Sequence, residues 1–233
     1  MFVQLETDGL DSFPSGYGAA MRGFFQGERQ EADEFIYHDI FDSIMFPLQR
    51  KRELRQMLKL ASMKNPKVVG EIGADKGGSL YHWCMLPGVK RVVAIEFRGI
   101  PYREEFEKAF PHIDFCFIHG SSYDQRAVEA VQKWLGEDSI DTLFLDGDKA
   151  NFYADYKSYR DMIRDGGLMF MHDINGEPPE ADFKRVAQEE HTSIIIDGSE
   201  AKELPPGFTP SSPWEAWLMF WQEKSCGVGV VYL

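Results

Sequence analysis

Positive charge is scarce in this chain. Its 233 residues carry 25 Lys and Arg against 38 Asp and Glu, a formal net charge of −13. Nucleic-acid binding depends on basic side chains that neutralise phosphates, so no nucleic-acid partner is expected. Long apolar runs are missing as well. Without a stretch of about eighteen apolar residues, no membrane-spanning helix and no membrane partner are expected. The opening Met1-Phe2-Val3-Gln4-Leu5-Glu6-Thr7-Asp8 has neither the basic region nor the apolar core of a secretion signal. Cysteine is limited to Cys84, Cys116 and Cys226. Three widely spaced thiols make neither a zinc pattern nor a disulfide framework, which fits a reducing cytoplasm. Each is read as a small buried apolar residue. There is no internal repeat and no G-x-G-x-x-G.

Apolar residues make up 43% of the sequence, enough for the core of one α/β domain. Residues 1–62 read as a lead-in with helices on the substrate side, and 63–233 as the catalytic domain. Within the lead-in, residues 1–30 are rich in Gly, Phe and Ser with weak periodicity. Helical spacing predicts helices over 31–44 and 48–62. The basic cluster Gln49-Arg50-Lys51-Arg52-Glu53-Leu54-Arg55 falls on the second of these and reads as its solvated face.

From residue 67 onward, strands and helices alternate. The pattern predicts strands over 67–72, 91–96, 114–119, 140–146, 168–172, 192–196 and 227–233, with helices between the first six. Such alternation implies a Rossmann-like, doubly wound, mostly parallel seven-stranded sheet. Helices cover both faces, and the N-terminal segment forms a helical extension. The loop 204–213 and the closely spaced Trp214, Trp217, Phe220 and Trp221 precede the last strand. Those rings suit either a substrate pocket or the packing of that strand.

The strongest local signal is Val68-Val69-Gly70-Glu71-Ile72-Gly73-Ala74-Asp75-Lys76-Gly77-Gly78-Ser79-Leu80. An apolar strand meets an acid, then a glycine-rich turn, then a helix start. A second strand, Arg91 to Glu96, also ends on an acid about twenty residues past the glycines, as ribose recognition in a βαβ unit requires. Glycines let the backbone approach a ligand. The alternative is a turn that only connects strand to helix. Glu71 and Asp75 would repel a pyrophosphate and attract a cation. S-adenosylmethionine (SAM) carries a sulfonium and an ammonium and no phosphate.

Every strand of the central sheet ends in polar residues, and open α/β sheets bind ligands at those ends. The third runs into His119-Gly120-Ser121-Ser122-Tyr123-Asp124, where Ser122 or Asp124 could cap the next helix. The fourth runs into Asp146-Gly147-Asp148-Lys149, and the fifth into His172-Asp173-Ile174-Asn175.

With these motifs in place, residues 67–175 resemble the class I SAM-dependent methyltransferases. The match is best to small-molecule O-methyltransferases with D-G-D-x and H-D motifs, which are similar to the metal-dependent ones. The resemblance implies a SAM site built from Glu71, Gly73, Ala74, Asp75, Gly77 and Ser79 at the methionine end. Glu96 would hold the ribose, Gly120, Ser121 and Ser122 would frame the adenine, and Asp146 would lie nearby. It also implies Mg2+ as an optional cofactor, with Asp146, Asp173 and Asn175 as ligands. Magnesium prefers such oxygens and would acidify an acceptor hydroxyl. Asn175 stands two residues after Asp173, whereas the family pair is adjacent. His172, Asp173 and Lys149 are the catalytic candidates. His172 or Asp173 could act as general base, or His172 could be structural. Lys149 could accept a proton, pair with Asp148, or be a surface lysine. The expected reaction is methyl transfer from SAM to an oxygen of a small molecule, with a homo-oligomer as an optional assembly. The alternatives are a non-catalytic SAM-binding module, or a hydroxylase-like or nicotinamide-dependent enzyme on the same sheet.

Overall fold

The computed structural model describes residues 1–5, 49, 51–191, 193–196 and 226–233. The predicted helix over 31–44, the loop 204–213, and the aromatic residues Trp214, Trp217, Phe220 and Trp221 lie outside them.

The elements in chain order are β1 (Phe2–Gln4), α1 (Lys51–Met63), β2 (Val68–Ile72), α2 (Gly78–Cys84), β3 (Arg91–Glu96), α3 (Arg103–Ala109) and β4 (Asp114–His119). There follow α4 (Gln125–Leu135), β5 (Ile140–Leu145), α5 (Phe152–Tyr159), β6 (Ile163–His172), α6 (Pro179–Glu190), β7 (Ser193–Ile196) and β8 (Val228–Tyr232). One sheet runs in the order β1-β4-β3-β2-β5-β6-β8-β7. All pairings are parallel except those that β8 makes with β6 and β7.

The central strands are Val-, Ile- and Phe-rich and buried along their length, as strands covered on both faces must be. Alternate residues feed two cores. Phe115, Phe117 and Phe144 join Leu54, Met57, Trp83 and Phe106 under α1, α2 and α3. Cys116, Ile118, Leu143 and Leu145 join Ala127, Val131, Tyr156 and Val186 under α4, α5 and α6. Trp83 is fully buried and packs on Phe144 and Phe170 at 5.9 Å each. Asp124 caps α4 by accepting the Arg126 N–H at 2.8 Å, and Ser122 does not.

The sheet has eight strands where seven were expected. The extra one is β1, whose Phe2, Val3 and Gln4 pair with Phe117, Ile118 and His119. Three residues are too few to carry a period-two signal, and the long-range partner is invisible locally. Leu5 continues the edge: its N–H donates to the His119 carbonyl at 2.8 Å, and its side chain is buried. No described helix is long and apolar enough to cross a membrane.

Chain order and sheet order diverge at β2. The chain moves from β2 outward through β3 to β4, then returns to β5 on the other side of β2. A crevice at such a reversal, beyond the carboxyl ends of the strands, is where this architecture binds ligands.

Candidate active site at the strand ends

The turn after β2 is shaped by its contact with the turn after β5. Gly73 has φ +85°, and a β-carbon there would lie 2.5 Å from the Gly147 nitrogen and 2.6 Å from the Asp146 carbonyl. Its N–H donates to the Ile95 carbonyl at 2.8 Å, while the Asp146 N–H donates to the Ile72 carbonyl at 2.8 Å. Three strand ends are thereby tied together. Ala74 is buried behind the turn. The aromatic rings of Phe106 and Tyr102 press on Gly77, so this glycine serves packing of α3. Asp75 sits at φ 41°, in the left-handed region, with its carboxylate 2.7 Å from the Arg98 guanidinium.

Two buried acids flank this turn. Glu71 is fully buried on β2, and Ser79 donates its hydroxyl to Oε1. Oε2 is buried without a hydrogen-bond partner among the described residues. Burial pushes the Glu71 carboxyl well above its ordinary range, partly offset by Ser79, and Asp146, Glu96 and Asp75 add to the rise. Glu96 accepts the Asp75 N–H at 2.7 Å on Oε2 and the Arg98 N–H at 2.9 Å on Oε1. Burial raises its pKa against those two donors. Each carboxylate oxygen has two lone-pair sites, so Glu96 keeps acceptor capacity for further hydroxyls.

A second cluster lies past β5 and β6. Lys149 donates to Asp146 Oδ1 and lies 3.0 Å from Asp173 Oδ2. His172, almost wholly buried, places Nδ1 3.0 Å from Asp146 Oδ1 and 3.4 Å from Asp173 Oδ1. Burial would raise both acids, but Lys149 and His172 outweigh it and hold them below the usual carboxylate range. Burial would lower the two bases, and the acids outweigh that in turn, holding His172 and Lys149 above their ordinary ranges. The Lys149 partners are therefore Asp146 and Asp173, whereas Asp148 accepts from Asn151 and the Ala150 N–H.

Two members of this cluster escaped the sequence reading. Gln49 donates to Asp146 Oδ2. Glu53, on α1, is completely buried; it accepts the Gly227 N–H at 3.0 Å and approaches His172 Nε2 at 3.5 Å. Neither lies on a solvated face, although Arg52 and Arg55 do. The available signal was spacing. Glu53 stands four residues before Met57, on the inner stripe of α1 with Leu54, Leu58 and Ala61.

The loop after β4 divides its duties. A β-carbon at Gly120 (φ +156°) would meet Leu5 at 2.7 Å, so this glycine admits the edge strand. Ser121 Oγ is buried without a hydrogen-bond partner among the described residues. Ser122 donates to Asp155 Oδ1 at 2.6 Å, and its carbonyl accepts the Tyr159 hydroxyl at 2.6 Å. The Asn175 N–H donates to the Cys226 carbonyl at 3.0 Å, and its side-chain amide lies over Gly227.

Asp155 carries a stability consequence. It is fully buried, and burial pushes its carboxyl up from 3.8 to about 7. The unfolded state therefore ionises first, so folding stability falls as pH rises from about 4 to about 7. Asp155→Asn should remove that slope and raise stability at pH 8 by at most about 4 kcal/mol. Melting temperatures of both proteins at pH 4.5 and pH 8 check this; parallel shifts would refute it.

Residues 70–174 match a family model described as a methyltransferase domain. This stretch of the chain is similar to a methyltransferase domain. No curated protein matches the sequence. Among solved structures, an O-methyltransferase from Bacillus cereus in complex with SAH superimposes with a TM-score of 0.56 at 14% identity, covering 78% of this chain and 81% of that one. The O-methyltransferase TomG from Streptomyces achromogenes, involved in tomaymycin synthesis and bound to SAM, gives 0.56 at 13% identity over 94% and 88%. These likenesses establish a shared fold. The methyltransferase match runs from Gly70 to Ile174 and takes in Glu71, the turn after β2, Glu96, Asp146, Lys149, His172 and Asp173. Gln49, Glu53 and Asn175 lie outside it.

Proposed function

We propose that this methyltransferase transfers the methyl group of SAM to a hydroxyl oxygen of a small molecule, with the site residues divided between the two acidic clusters. One observation carries the assignment: Glu71 is a fully buried carboxylate with an unpartnered oxygen, next to a glycine turn and a second buried acid, Glu96. A buried acid left half-satisfied is costly unless a ligand completes it. A cation bearing a vicinal diol does so.

SAM, when bound, supplies an electrophilic methyl group on a sulfonium leaving group. Glu71 receives the ammonium, with Ser79 fixing its other oxygen. Glu96 accepts the ribose hydroxyls while the Asp75 and Arg98 N–H groups hold it in place. Gly73 lets the turn lie close, and Ser121 Oγ offers its unused capacity to the adenine. Asp173 and Lys149 are the partly exposed members of the second cluster and meet the acceptor. Asp173 would accept the proton of the acceptor hydroxyl as the oxygen–methyl bond forms and the methyl–sulfur bond breaks to leave the thioether, and Lys149 would stabilise the negative charge that the oxygen gains as its proton departs. His172, buried between Glu53 and the two aspartates, orients those carboxylates.

The residues do not suit Mg2+ as drawn from the family resemblance. Asp146, His172 and Asp173 do bring ligand atoms within 4.8 Å of one another. Yet both oxygens of each aspartate already face a donor, one partner is an imidazole nitrogen, and the Asn175 amide lies over Gly227. The acidic charge supports a small acceptor over nucleic acid. A cytoplasmic setting is part of this proposal, supported by the buried free thiols of Cys84 and Cys116.

Glu96→Ala tests the cofactor half. Removing a charged acceptor of two hydroxyls costs about 1.5–3 kcal/mol, or roughly ten- to a hundred-fold in SAM affinity. Titration calorimetry reads it directly, and an unchanged dissociation constant would overturn the assignment.

A further inference from the structure

The acceptor cluster departs from a metal site in a specific way. We infer that the Lys149 ammonium takes the place of a divalent cation between Asp146 and Asp173, so that methyl transfer proceeds without a metal. This deepens the acceptor half of the proposed function and rests on it for its catalytic meaning.

The geometry supports the substitution at each oxygen. Lys149 Nζ bridges the two carboxylates, donating to Asp146 Oδ1 and lying 3.0 Å from Asp173 Oδ2. His172 Nδ1 faces the Oδ1 atoms of the same two residues, and Gln49 donates to the remaining Asp146 oxygen. The pair of acids is thus filled by side chains of this chain. Magnesium demands near-octahedral oxygen coordination at about 2.0–2.1 Å. Entry would require it to expel the ammonium from between the acids and to leave that ammonium nearby, where like charges a few ångströms apart repel. Asn175, the third ligand that the resemblance implies, has its side chain against Gly227.

An ammonium has three N–H donors. Two directions are taken by Asp146 and Asp173, and the side chain is about one-third exposed. The third donor is what an acceptor oxygen meets. Lys149 then supplies the fixed positive charge that would otherwise come from a metal.

Mn2+ binding to the full-length protein tests this without turnover, read by electron paramagnetic resonance of free Mn2+. Lys149→Met is expected to bind Mn2+ at least about tenfold more tightly than wild type, because a like charge is gone and the oxygens that faced Lys149, Asp146 Oδ1 and Asp173 Oδ2, lose that donor. The double variant Asp146→Asn, Lys149→Met is expected to lose the gained site. Thermal melts and SAM titration on all three proteins report folding and the cofactor site. Wild-type activity is expected to persist in EDTA. Equal Mn2+ affinity in wild type and Lys149→Met would overturn the inference. So would a gained site that survives in the double variant, or activity that EDTA abolishes and Mg2+ restores. Failure of SAM to bind wild type would instead strike the proposed function, so the two failures are distinguishable.

Discussion

Glu71→Gln is expected to make the ligand-free protein more stable at neutral pH while weakening SAM binding about ten- to a hundred-fold. Both effects follow from one side chain. Glu71 is fully buried on β2, and burial together with Asp146, Glu96 and Asp75 disfavours its charged form. Its folded pKa is raised, so its contribution to stability is lost as pH climbs above the ordinary glutamate range, where the unfolded chain ionises and the folded one resists. Glutamine is neutral at every pH and keeps an oxygen for the Ser79 hydroxyl, so that loss disappears. Binding reverses the balance. A ligand ammonium favours the carboxylate, and a hydrogen bond to a charged group contributes about 1.5–3 kcal/mol that an amide does not match. Wild type should therefore release a proton on binding SAM, whereas Glu71→Gln should release fewer. Calorimetry in buffers of different ionisation enthalpy measures this, and melting curves across pH measure the stability arm. A variant that binds SAM as wild type does, with an unchanged pH profile of stability, would show that Glu71 is only a structural acid.

The central sheet was legible because its signals are local. Runs such as Val-Val-Gly-Glu-Ile and Asp-Thr-Leu-Phe-Leu each declare a buried strand, and the acids Glu71, Glu96 and Asp146 mark where each strand or the turn after it meets the crevice. What escaped depends on distant partners. β1 is three residues whose meaning lies in β4, more than a hundred positions away. Gly120 resembles a ligand-facing glycine until Leu5 is seen against it. Glu53 sits in a charged run and reads as solvated, although its helical position sets it beside Met57 and opposite His172. Lys149 stands next to Asp148 in sequence, yet it reaches back three residues to Asp146 and across the sheet to Asp173. Charges pair by geometry, and adjacency along a chain rarely supplies it.

Gly73→Ala is expected to lower the melting temperature by about 10 °C or more and to abolish measurable SAM binding. The added β-carbon would stand 2.5 Å from the Gly147 nitrogen and 2.6 Å from two Asp146 backbone atoms. Backbone cannot rotate out of the way as a side-chain tip can. Positive φ at a non-glycine residue adds about 1–3 kcal/mol, and overpacking typically adds about 1–3 more. For a chain of this size each kcal/mol moves the midpoint by roughly 2–4 °C. The functional loss should exceed the stability loss, because relief requires the turn after β2 to part from the turn after β5. That displacement separates Glu71 from Asp146 and breaks the Gly73 link to the Ile95 carbonyl, which sits beside Glu96. Gly166→Ala separates the two causes. Gly166 also has positive φ, +75°, but a β-carbon there meets nothing within 4 Å. It should therefore show the conformational cost alone, with SAM affinity intact. If both variants melted and bound alike, the close approach of the two turns would have no part in holding the site together.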